Sequence, residues 1–132
     1  MITRTTSALL FSIFLVVTAA AQTGHPAKGS WLGYWGPDDS SQRRIRLLMD
    51  WEDREITGVI NPGRNAVAIE STSIDYDTWT LTIEAEMATA DGELQPFVAV
   101  GVLDNLGSWT NRRYAGTYTL GDESGAFELL LN

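Results

Sequence analysis

The sequence predicts an all-β domain built as an eight-stranded antiparallel up-and-down meander that closes into a β-barrel. Residues 78–87 (TWTLTIEAEM) alternate apolar and polar side chains over ten positions, which indicates a strand with one buried face. Turn-forming residues recur at short intervals, and no stretch of twelve residues after residue 21 has a helical period. A two-sheet β-sandwich is the alternative, because its strands alternate in the same way.

The first 21 residues have the layout of a secretory signal peptide. Arg4 supplies a positive start, residues 8–17 (ALLFSIFLVV) form an apolar run, and residues 19–21 are alanines suited to cleavage. The apolar run is shorter than the ~20 residues that a membrane-spanning helix needs. We therefore expect an exported protein, periplasmic or extracellular after cleavage near Ala21.

Composition limits the partners of the exported chain. Residues 22–132 suffice for one domain and carry 8 basic and 17 acidic side chains, a net charge of −9. Such a surface repels nucleic acid and anionic lipid, so neither is expected as a partner, and no later segment can span a membrane. Because cysteine is absent, stability must come from packing. Residues 22–30 (QTGHPAKGS) read as a flexible lead-in to a barrel domain over residues 31–132.

The predicted strands are separated by polar turns. The eight strands span residues 31–35, 44–51, 55–60, 66–72, 78–87, 96–103, 114–120 and 125–131. The turns include residues 52–54 (EDR), 61–65 (NPGRN), 91–92 (DG) and 121–124 (GDES). Connections this short require antiparallel neighbours, and closure into a barrel removes both exposed edges of a meander. Strand glycines such as Gly33 and Gly116 favour the curvature that closure needs.

Two short motifs carry a resemblance to a known group of small barrels. Residues 33–35 (GYW) are similar to the Gly-x-Trp that opens the first strand of calycins, the group that includes lipocalins and avidins. Residues 54–58 (REITG) resemble the entry to the third strand of avidin-type barrels. The resemblance implies an eight-stranded calycin-like barrel, and the chain is also similar to small exported bacterial proteins of this type.

The resemblance does not extend to biotin binding. Residues 36–41 (GPDDSS) offer Ser40 and Ser41 but lack the Asn that avidin-type barrels place in this loop. Trp79 and Trp109 are distant matches to the downstream tryptophans of that family. The basic residue that covers the Gly-x-Trp ring in calycins has no counterpart in the last strand, residues 125–131.

Catalytic and metal-binding patterns are not expected. The single histidine, His25, lies in the lead-in and is interpreted as an exposed tail residue, and with no cysteine a zinc site is not predicted. Carboxylates occur in groups. We interpret Asp75 and Asp77 as turn-forming residues, and Glu84 and Glu86 as solvated acids on the exposed face of a strand. A carboxylate-based hydrolase is kept as a remote alternative, and we predict no cofactor.

Aromatic side chains are the best candidates for a binding site. Trp51, Trp79, Phe97 and Phe127 fall on inward positions, where they fill a core or line a cavity. Trp109 stands in a polar loop beside Arg112, where it could stack on a flat ligand or anchor a partner protein. The predicted ligand-binding residues are Tyr34, Trp35, Trp51, Trp79, Trp109 and Arg112. The predicted function is a non-enzymatic binding module for a small apolar or aromatic ligand; the alternative is a structural or interaction protein, an envelope accessory factor or inhibitor, with a solid core.

Overall fold

A single antiparallel sheet of nine strands organises residues 24–132, the part of the chain that the computed structural model describes. The strands are β1 (Gly29–Gly36), β2 (Arg43–Glu52), β3 (Glu55–Ile60), β4 (Val67–Ala68), β5 (Ser71–Asp75), β6 (Thr80–Ala88), β7 (Leu94–Asp104), β8 (Arg113–Leu120) and β9 (Glu123–Leu131). Their order in space is β4-β3-β2-β1-β9-β8-β7-β6-β5. The all-β class and the up-and-down antiparallel order are therefore confirmed, whereas the predicted signal peptide lies outside the described residues. Within residues 24–132, no helix has the length and apolar character to cross a membrane.

The predicted hydrogen-bonded closure of a barrel is not formed, because the predicted strand 66–72 breaks in two. β4 pairs with β3, whereas β5 pairs with β6, so no backbone ladder joins β4 to β5. The break falls where the chain changes partner: the Ile69 N–H donates to the Gly58 carbonyl at 3.0 Å, and the Glu70 N–H donates to the Glu84 carbonyl at 2.8 Å. The Thr72 hydroxyl donates across to the Ile56 carbonyl on β3 at 2.8 Å. The two edges of the sheet thus meet at one segment without a continuous ladder.

The period-two alternation seen in the sequence corresponds to an inner and an outer face of the sheet. In β6, Leu81, Ile83, Ala85 and Met87 are buried, as predicted, and Glu84 and Glu86 are exposed. Every long strand contributes to one apolar cluster. Its larger buried members are Trp31, Trp35, Ile45, Leu47, Met49, Ile56, Ile60, Leu81, Ile83, Met87, Phe97, Leu103, Tyr114, Tyr118, Leu120, Phe127, Leu129 and Leu131.

The interior of this cluster is filled. The cavity inside it measures about 10 Å³, no more than the space that a single water molecule needs. Trp31 and Trp35 are only 1% and 5% exposed and pack in the core, although Trp35 was predicted to bind a ligand. Tyr114 also lies within it and donates its hydroxyl to the Leu81 carbonyl at 2.8 Å. Ligand pockets measure roughly 300–1,000 Å³, so the core holds no such pocket.

The sheet has two ends with different character. The lead-in end is where β1 begins, and it also carries the β2–β3 turn, the β5–β6 turn and the β7–β8 loop. At the opposite end, Arg43 lies over the Trp35 ring at 4.3 Å and forms an ion pair with Glu123. The Tyr118 hydroxyl donates to Glu123 at 2.5 Å. Burial, together with this hydrogen bond, raises the pKa of Tyr118 to about 12.

Candidate functional site

Four of the six predicted binding residues lie at the lead-in end. Trp51 is the penultimate residue of β2, Trp79 precedes β6, and Trp109 and Arg112 belong to the β7–β8 loop. Antiparallel pairing brings these segments to one end, because β2 and β7 finish there and β6 and β8 begin there. Side chains separated widely in the sequence therefore share one surface, outside the filled core.

Three aromatic side chains at this end surround the ring of His25, and we name Trp51, Tyr76 and Trp79 the aromatic cage. The imidazole stacks on Trp51 with the ring centroids 4.5 Å apart and the planes at 27°. Its centroid lies 5.8 Å from that of Tyr76 and 6.1 Å from that of Trp79. Tyr76 and Trp79 meet edge to face at 5.2 Å, a favoured geometry for aromatic pairs.

The β5–β6 turn positions two walls of the cage. The Asp77 N–H donates to Asp75 Oδ1 at 2.9 Å, a side-chain turn that confirms these acids as turn-formers. Trp79 then adopts a φ of +57°, which is rare for a bulky residue, and its carbonyl accepts a hydrogen bond from the Leu103 N–H at 2.9 Å. Trp79 was predicted inside the strand. It lies just before β6 and is partly buried, because the left-handed backbone at this residue ends the turn.

The interpretation of His25 as an exposed tail residue was wrong. Its side chain is partly buried, and its Nδ1 accepts a hydrogen bond from the Ala27 N–H at 3.0 Å. Because Nδ1 uses its lone pair in this way, the proton of the neutral ring lies on Nε2, which donates to the Tyr76 hydroxyl at 3.0 Å. Burial, and secondly the charge of Arg112, lowers the pKa of His25 below its ordinary 6.5.

Arg112 anchors both the lead-in and the exposed indole of Trp109. Only 3% of its surface is accessible, and its Nη atoms donate to the carbonyls of Pro26 at 2.9 Å and Leu106 at 2.6 Å. Its Nε is buried and has no hydrogen-bond partner among residues 24–132. The guanidinium carbon lies 4.5 Å from the centre of the Trp109 ring, a cation–π contact that holds a side chain of which 64% remains exposed.

The other two predicted residues lie elsewhere, because neighbouring residues of a strand face opposite sides. Trp35 points into the core near the opposite end, where it contacts Phe97 and Tyr118. Tyr34 points outward and is 51% exposed, beside an open groove of about 790 Å³ on the outer face of the sheet. The structure therefore does not bring Tyr34 and Trp35 together with the lead-in end.

Acidic side chains form no cleft in the described part of the chain. None is buried, and only Asp50 and Glu123 are partly buried. Hydrogen bonds from Ser40 and Thr89 hold the pKa values of Asp38 and Asp91 below their ordinary range. A glycosidase needs two carboxyl groups facing each other across a cleft, and the exposed acids of residues 24–132 are not arranged in that way. The same residues contain no group of three His, Asp or Glu side chains that could hold a metal ion.

No protein-family model matches the chain, and neither a curated protein nor a solved structure matches it. The site therefore has to be interpreted from its own geometry.

Sequence reasoning missed His25 and Tyr76 as parts of the site. The two residues are 51 positions apart, and no periodicity links them. The one feature of the sequence that pointed to Tyr76 was the short turn around it, which places its ring close to that of Trp79.

Proposed function

We propose that this protein is an exported, non-enzymatic binding module that binds a small, flat apolar or aromatic ligand at its lead-in end. The observation that carries the proposal is the indole of Trp109, which is 64% exposed yet held in place by the buried guanidinium of Arg112. An exposed aromatic ring that is already ordered loses little conformational entropy when a ligand stacks on it. Two further tryptophans, Trp51 and Trp79, stand partly exposed at the same end.

The filled core supports a surface site over an internal one. A cavity of about 10 Å³ cannot hold an organic ligand. At the lead-in end, Trp51 and Trp79 pack against the core but stay partly exposed, and Trp109 is 64% exposed. Calycin-type kinship, a barrel-like arrangement whose two sheet edges meet without a continuous hydrogen-bond ladder, and export to the periplasm or the medium belong to the same proposal. The meeting of both sheet edges at residues 69–72 around one core supports the barrel.

A partner protein is the second candidate, and the exposure of Trp109 also favours it. Tryptophan is enriched among the residues that dominate protein–protein binding energy, especially where the ring is fixed before binding. In this case the molecule is a solid interaction protein, and the ring of Trp109 inserts into a pocket of an exported partner.

Calorimetric titration with benzimidazole, adenine and a phenyl glycoside tests the small-molecule proposal. We expect at least one compound to bind, and the variant Trp109→Ala to weaken its binding at least about fivefold, because stacking on an aromatic ring contributes about 1–3 kcal/mol. Leu94→Ala is the matched control: this side chain is 63% exposed but lies at the opposite end, so its loss should leave the affinity unchanged. Absence of binding by all three compounds, or equal affinities in both variants, would contradict the small-molecule proposal.

A further inference from the structure

His25 occupies the aromatic cage as a separate ligand would. One face of its ring stacks on Trp51 at 4.5 Å, and its Nε2 reaches the Tyr76 hydroxyl at 3.0 Å. The cage thus combines an aromatic floor with a polar group at the ring edge, the two elements that orient flat heterocycles in binding sites. The chain itself supplies the occupant seen in the structure.

We propose that the aromatic cage is a binding site for a flat, neutral nitrogen-containing aromatic ring, and that His25 is its built-in competitor. The inference rests on the proposed function in so far as it names the ligand class for the lead-in end. A ligand ring of this class replaces the imidazole on Trp51 and donates to, or accepts from, the Tyr76 hydroxyl, since a hydroxyl can do either.

The surroundings of the cage select a neutral ring. Nδ1 of His25 accepts a hydrogen bond from the Ala27 N–H, so the ring in the cage is unprotonated at this nitrogen. Arg112 is the charged group that acts on the imidazole, and its positive charge opposes a second cation there. An aromatic cage generally attracts cations, but partial burial and the positive charge of Arg112 both disfavour a charged ring at this site.

The lead-in can release the ring of His25 without unfolding the sheet. Ala27 is buried, the Pro26 carbonyl is bonded to Arg112, and the Lys28 N–H donates to the His25 carbonyl at 3.0 Å, so the backbone is held independently of the ring. Rotation of the His25 side chain therefore empties the cage. Until then the tethered imidazole competes with a free ligand for the cage, which weakens the apparent affinity of that ligand.

The strained backbone at Trp79 keeps one wall of the cage in place. A bulky residue rarely adopts a φ of +57°, and such conformations concentrate at functional sites. Here the conformation directs the Trp79 ring toward Tyr76, edge to face at 5.2 Å. The wall is therefore formed before any ligand arrives.

Imidazole alone is the probe that tests the inference, at about pH 8 where it is neutral. In ¹⁵N-labelled His25→Ala protein, we expect imidazole to shift the indole N–H signals of Trp51 and Trp79 but not that of Trp35 at the opposite end. In the unaltered protein the same shifts should require at least about tenfold more imidazole, because the tethered ring competes. The double variant His25→Ala, Tyr76→Phe should bind imidazole about two- to tenfold more weakly than His25→Ala, since one hydrogen bond is lost.

Several outcomes would overturn the inference. A folded His25→Ala protein whose Trp51 and Trp79 signals ignore imidazole would do so, as would equal imidazole affinities with and without His25. If His25→Ala does not fold, the test is displacement of the His25 ring in the unaltered protein. A high concentration of imidazole must then shift the amide signal of Ala27, whose N–H donates to His25. An Ala27 signal that does not move would refute the proposed binding site. Failure of the Trp109-dependent titration alone would refute the proposed function and leave the cage intact.

Discussion

His25 and Tyr76 are 51 residues apart in the sequence, and only the folded sheet brings their side chains within hydrogen-bond distance. The hydrogen bonds and ring contacts of the candidate site therefore depend on residues that are distant in the sequence. Turn-forming by Asp75 could be predicted because it involves residues two positions apart. The stacking of His25 on Trp51 could not be predicted, because a small polar segment such as residues 22–30 carries no pattern that indicates which distant aromatic ring His25 contacts.

The stability of the protein should depend on pH through His25. Since the folded-state pKa of His25 lies below 6.5, the unfolded chain takes up its proton first as the pH falls. The contribution is therefore fully present above about pH 6.5 and is lost as the pH decreases toward the lowered value. Urea unfolding between about pH 5 and 8 should show a decline for the unaltered protein that is smaller for His25→Gln, which cannot be protonated.

The groups that face His25 from neighbouring elements are the Arg112 guanidinium, the Tyr76 hydroxyl and the Ala27 N–H. All other ionisable groups are common to both proteins, so the difference between the two curves isolates the contribution of the histidine. Parallel curves over the whole range would contradict this prediction.

At the scale of the secondary-structure element, the turns could be predicted from the sequence, but the break between β4 and β5 could not. The turn at residues 52–54 joins β2 to β3 as expected, with Asp53 and Arg54 at positive φ as a tight two-residue hairpin requires. The break at residues 69 and 70 has no comparable signature. It arises because one segment bonds first to β3 and then to β6, two strands that are distant from each other in the sequence.

The glycines of β8 and β7 allow these strands to approach closely. Gly101 and Gly116 face each other in register, and a Cβ on Gly116 would lie 2.0 Å from the Val100 carbonyl oxygen. Gly116→Ala should therefore lower the free energy of unfolding by at least about 2 kcal/mol, since the clash is with backbone that cannot move cheaply. Gly107→Ala is the matched control, because the added Cβ would meet no atom within 4 Å in the described part of the chain beyond the residues that flank it. Chemical denaturation that finds the two variants equally stable would contradict this account of the curvature.

At the scale of the whole molecule, the sequence predicted the fold class but not whether the core is filled or holds a cavity. Alternating strands enclose a cavity or a solid core equally well, and only side-chain packing decides between them. Trp31, Trp35, Tyr114 and Tyr118 fill the space that a ligand would need. The many aromatic residues that suggested an internal ligand therefore form two groups. One group packs in the core, and the other, Trp109 and the aromatic cage, lies at the lead-in end.

Binding at the lead-in end, and not inside the sheet, is the central claim. The most direct test is a titration of ¹⁵N-labelled protein with benzimidazole, observed at the five tryptophan indole N–H signals. We predict that Trp51, Trp79 and Trp109 shift together while Trp35, buried near the opposite end, stays in place. A response dominated by Trp35, or shifts at none of the three lead-in-end tryptophans, would contradict the claim.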